Sequence, residues 1–150
     1  MKKIQYLIAL IILFSLSCTQ EKTADRPQDM WVFRSVMDEQ PRMLTAALHE
    51  DLWVSYDVQN GLMYKAWKGD VNFDGAVYTT VHGPQPTSLG YAFFEKDEDE
   101  WVVRKGEEPV RYDFEYKGHS ILGNELKLYY QLQLSDGQLI TITEMPEYAV

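Results

Sequence analysis

Two stretches near the C-terminus alternate apolar and polar side chains with a period of two, and no other feature of the chain restricts its fold as much. In residues 110–117, Val110, Tyr112, Phe114 and Tyr116 alternate with Arg111, Asp113, Glu115 and Lys117. In residues 126–134 the pattern repeats: Leu126, Leu128, Tyr130, Leu132 and Leu134 share one phase, while Lys127, Gln131 and Gln133 share the other. Successive side chains of a strand point to opposite faces, so each stretch reads as a strand with one dry and one wet face. Residues 139–145 follow Asp136-Gly137, a dipeptide that favours a two-residue turn, and an antiparallel hairpin with 126–134 is expected.

Shorter runs elsewhere fit the same class. Residues 31–37, 42–49, 52–57, 62–67, 76–81, 89–94 and 101–104 read as strands. Turn signals separate them: Asp38-Glu39-Gln40-Pro41, Gln59-Asn60-Gly61, Asp74-Gly75 and Gly83-Pro84-Gln85-Pro86. Leu44, Ala47 and Leu48 also fit a helical period; the stretch is read here as a strand. Many short strands at this spacing predict an all-β fold, an antiparallel β-sandwich, with a partly open β-barrel as the alternative. A chain of 150 residues is one domain's worth and can bury a core.

The leading segment stands apart from that domain. Lys2 and Lys3 precede an apolar run over 4–16, shorter than a comfortable membrane span and of the length of a secretory signal. The run ends in Ser15-Leu16-Ser17-Cys18, and Cys18 is the only cysteine. A small residue before a lone cysteine at that place has the form of a bacterial lipoprotein signal. Residues 1–17 are therefore expected to be a signal peptide, Cys18 the lipidated residue that anchors the chain to a membrane, 18–29 a polar tether and 30–150 a single β domain. The protein is then expected in the bacterial cell envelope, facing the periplasm or the exterior. An ordinary signal peptide with an incidental cysteine is the plainer alternative. A lone cysteine forms no disulfide within the chain, so stability must come from the core.

Without Lys2 and Lys3 the chain carries 12 basic against 23 acidic side chains, a net charge of −11. Such a surface repels phosphate backbones, and nucleic acid is not an expected partner.

Several constellations could carry chemistry. Asp70-Val71-Asn72-Phe73-Asp74-Gly75 matches the opening of a calcium loop, in which alternate oxygens from Asp70, Asn72 and Asp74 would wrap a hard cation. The twelfth position is Val81, where an acidic ligand is required, so Asp74-Gly75 reads equally well as a hairpin turn and no cofactor other than a weak calcium site is expected. The acidic run 95–100 reads as a solvated hairpin tip. His49, His82 and His119 are too far apart to suggest zinc. His82 runs straight into a loop stiffened by Pro84 and Pro86, beside Asp74 and Tyr78, and could serve as a general base. Trp53, Tyr64, Trp67, Tyr78 and His82 are the candidate ligand-binding residues, because flat amphipathic rings stack on apolar sugar faces; core packing is the competing reading.

The words Trp31-Val32-Phe33-Arg34-Ser35-Val36, Pro41-Arg42-Met43, Trp67-Lys68-Gly69, Phe73-Asp74-Gly75-Ala76-Val77-Tyr78 and His82-Gly83-Pro84-Gln85-Pro86 carry a resemblance. Over roughly 30–146 the chain resembles the N-terminal β region of large secreted bacterial proteins that also bear a c-type cytochrome domain, often with a sugar-dehydrogenase-like propeller. These 150 residues contain no Cys-x-x-Cys-His to hold such a haem and no propeller repeats. The resemblance thus implies an accessory domain of a redox system and transfers no catalytic residue. The resulting expectation is a lipid-anchored, non-catalytic module that binds a glycan or a redox protein partner. Its rivals are a hydrolase or sugar-modifying enzyme using His82 and Asp74, and a shortened remnant of a multidomain cytochrome.

Overall fold

The computed structural model of the protein describes residues 30–73, 84–96 and 101–148. Its strands are β1 (Trp31–Met37), β2 (Gln40–His49), β3 (Leu52–Asp57), β4 (Leu62–Asn72), β5 (Thr87–Glu95), β6 (Arg104–Lys105), β7 (Glu108–Pro109), β8 (Tyr112–Leu122), β9 (Glu125–Leu134) and β10 (Leu139–Glu144). The first five form an antiparallel meander in chain order. A second sheet places β9 between β8 and β10, and β6 and β7 make a short ribbon. The fold is all-β, with three antiparallel sheets and no closed barrel.

The alternation of the C-terminal strands explains how the two larger sheets meet. Leu126, Leu128 and Tyr130 of β9 are wholly buried, and they pack with Leu44, Ala46, Val54 and Tyr56 of the five-stranded sheet. Phe114, Tyr116 and Ile142 flank them. On β8 the burial alternates residue by residue, with Asp113, Glu115 and Lys117 exposed. The dry phase of β8 is only half-buried, because β8 is an edge of its sheet.

The five-stranded sheet is apolar on its other face as well. Trp31, Phe33, Met43, Ala47, Trp53, Trp67 and Val71 gather there, with Phe73 against Trp31 and Phe33. Burial on both faces turns a strand into a continuous apolar run. Hence Met43 to Leu48 are all buried, and the alternation that marks the C-terminal strands is missing in β2.

Several boundaries differ from the sequence reading. The β1–β2 turn is the two residues Asp38 and Glu39, both at positive φ, and Met37 pairs with Gln40, so Pro41 lies inside β2. Strand β4 runs on to Asn72 because Gly69 and Gly90 face each other across the β4–β5 ladder. A Cβ on either would fall within 2.2 Å of a carbonyl oxygen of the opposite strand. The β9–β10 connection is four residues, closed by Leu134 N–H to Gln138 O, and not the expected two. Residues 101–103 are not a strand. Trp101 instead plugs the end of the sandwich, donating from Nε1 to Gly61 O at 2.7 Å and accepting at its carbonyl from the Tyr112 hydroxyl at 2.6 Å. Gly61 leaves room for Phe114, whose ring would lie 2.4 Å from a Cβ there. The strand expected at 76–81 lies outside the described residues.

Candidate functional site

Among the sequence candidates, the two tryptophans face each other across the β3–β4 ladder. Trp53 pairs with Trp67, and their rings stack at 6.1 Å with 11° between planes. Both are buried, at 2 % and 1 % exposure. Each indole N–H is used inside the fold, Trp53 donating to Gly69 O and Trp67 to Asp70 O. Tyr64 joins the same cluster because a register shift at Ser55/Tyr56 turns it to that face. Asp70 and Asn72 lie on extended β4, paired with Leu89 and Thr87. Cys18, Asp74, Tyr78 and His82 lie outside the described residues. Among the described residues no group of three His, Cys, Asp or Glu is placed to hold a metal ion.

Two polar clusters inside the protein are treated very differently by their surroundings. The first is at the corner where the β1–β2 turn reaches the start of β5. Asp38 accepts from Ser88 N–H and Ser88 Oγ, each at 2.7 Å, and from Lys65 Nζ at 3.1 Å, while its own N–H donates to Pro86 O. Burial alone would raise the Asp38 pKa, but the two Ser88 bonds and the Lys65 ammonium outweigh it and hold the carboxyl below its ordinary value. Burial likewise works against the Lys65 charge, and Asp38 with Glu95 reverses this and raises its pKa.

The second cluster lies between the sheets. Tyr56 on β3 and Tyr130 on β9 are wholly buried. Neither hydroxyl makes a hydrogen bond of sound geometry. Glu144 ends β10 on the same phase as Ile140 and Ile142, which places a carboxyl on the core-facing side. Burial pushes the Glu144 pKa up, and the nearby Tyr56 and Tyr130 hydroxyls only partly oppose this. In turn burial, then the Glu144 charge, drives both tyrosines well above the ordinary phenol range. The core-facing carboxyl was open to detection in Ile140-Thr141-Ile142-Thr143-Glu144, where period two carries the apolar phase onto a glutamate.

Tyr56 and Glu144 line a cleft of about 390 Å³ between the β5 and β10 sides of the sandwich. Met63 and Ala66 also line it, together with Phe93, Phe94, Met145 and Tyr148. A larger hollow of about 540 Å³ lies at the Trp101 end. There the Asn60 amide, the Trp101 indole and the Tyr112 hydroxyl all have partners already. The cleft, with its buried phenol and carboxyl lacking a well-formed bond between them, is the better candidate.

Comparison of the chain with family models, with curated proteins and with solved structures gives no match.

Proposed function

We propose that this chain is a non-catalytic binding module of the bacterial cell envelope, held at a membrane through lipid on Cys18, and that it takes its ligand in the cleft between β5 and β10. The observation that carries this reading is the rim. Phe93 is 55 % exposed and Phe94 44 %, and with Met145 and Tyr148 they surround one cavity. Large apolar side chains clustered at the mouth of a hollow mark a binding surface more than a free one. The cavity volume falls within the range of about 300–1,000 Å³ usual for small-molecule sites. The ligand is accordingly a small organic molecule with an apolar body; a sugar with an apolar ring face belongs to that class.

Calorimetric titration of the full chain in non-ionic detergent with 1-hexanol, against a detergent blank, tests the site. Saturable uptake is expected, weakened about tenfold by Phe93→Ser with Phe94→Ser, as for removal of an apolar anchor. Equal, non-saturable uptake by both proteins would remove the cleft as a site.

A further inference from the structure

We infer that the cleft selects an organic cation: an apolar body held among Phe93, Phe94 and Tyr148, with an ammonium group against Glu144. The inference rests on the proposed binding role of this cleft and gives its ligand a charge. The charged side chains lining the cleft are Glu144 and Glu147, and none of the described lining residues is basic. Two basic groups pack on neighbouring rings without lining the cleft: His49 meets the Tyr148 ring edge-on at 5.6 Å, and the Arg34 guanidinium lies 5.9 Å from the Tyr116 ring.

The buried hydroxyl supplies the second argument. Tyr56 is wholly enclosed, and its hydroxyl faces Glu144 without a well-formed hydrogen bond. An ionised carboxylate accepts only, which fits an ammonium with three donors and no acceptor. A carboxylate ligand would set like charge against Glu144 in a site of low dielectric. The exposed faces of Phe93 and Phe94 favour a cation further, through the negative faces of their rings. Burial raises the Glu144 pKa in the free protein, and a bound cation would lower it again.

Three probes of one chain length decide the matter: hexylammonium, 1-hexanol and hexanoate, titrated into the full chain at one ionic strength. Hexylammonium is expected to bind about tenfold or more tighter than hexanol, and hexanoate more weakly than either. Glu144→Gln should abolish the ammonium advantage, so that hexylammonium binds that variant no better than hexanol does, while Glu147→Gln, on an exposed side chain, should have the smaller effect. If hexanol binds and hexylammonium is no better, or hexanoate equals it, the charge assignment is overturned and the cleft stands. If no probe binds, the cleft itself is refuted and the charge with it. Should Glu144→Gln fail to fold, the order of the three probes on the wild-type chain still decides.

Discussion

The Asp38 corner and the Glu144 cleft are both carboxylates set among partly buried side chains, yet one has every partner it can use and the other has few. At the corner a serine and a lysine come from β5 and β4 to meet the carboxylate, and its pKa falls. In the cleft a glutamate faces two phenols whose hydroxyls make no well-formed hydrogen bond, and burial raises its pKa. Buried polar groups in proteins are nearly always satisfied, so a cluster that is not satisfied calls for a reason other than folding. The contrast gives the corner to architecture and fits the binding role proposed for the cleft.

The largest effect should come from breaking the corner. Asp38→Ala would take the acceptor from both Ser88 donors and leave the Lys65 ammonium with Glu95 alone. The loss should be about 3 kcal/mol, at the low end for a broken ion pair because Asp38 and Lys65 keep 18 % and 15 % of their side-chain surface. Urea denaturation of the variant measures it, and a loss no greater than that of an ordinary surface change would remove the corner from the architecture.

A smaller effect separates the two regions by the sign of their pH dependence. Asp38 has a folded pKa below its ordinary 3.8, so its contribution to stability is present above that value. It is lost as the pH falls through the folded pKa. Glu144 has a folded pKa above its ordinary 4.5, so its contribution is present below that value and is lost as the pH rises through the folded pKa. Urea midpoints should therefore show Glu144→Gln gaining on the wild type as the pH rises above 4.5. Asp38→Asn should close its deficit only as the pH falls below 3.8. The same sign for both variants would erase the distinction.

Much of the architecture was legible where one face of a strand is wet. Strands β8 and β9 stand in the alternation of Tyr112 to Lys117 and Leu126 to Leu134, because exposure of Asp113, Glu115 and Gln133 writes the period into the sequence. Strand β2 was less legible, since burial of Met43 to Leu48 on both faces erases the period and lets a helical one suggest itself. The Trp101 plug and the Asp38–Ser88 bonds were hidden for another reason: their partners lie 40 and 50 residues away, and no local pattern encodes such pairing. The aromatic residues drew attention to Trp53 and Trp67, whose rings belong to the core. Glu144 was visible as a charge on the apolar phase of a strand, but its meaning needs Tyr56 and Tyr130 from two other strands.

The central claim is that the buried phenols beside Glu144 add little to folding through their hydroxyls. Tyr56→Phe removes one hydroxyl and little else. Deleting a buried hydroxyl that makes no well-formed hydrogen bond is nearly neutral or slightly favourable, so urea unfolding of the variant should match the wild type within about 0.5 kcal/mol, or exceed it. A loss of about 1.5 kcal/mol, the worth of a well-made hydrogen bond, would contradict the account, because it would place the Tyr56 hydroxyl in the architecture alongside Asp38.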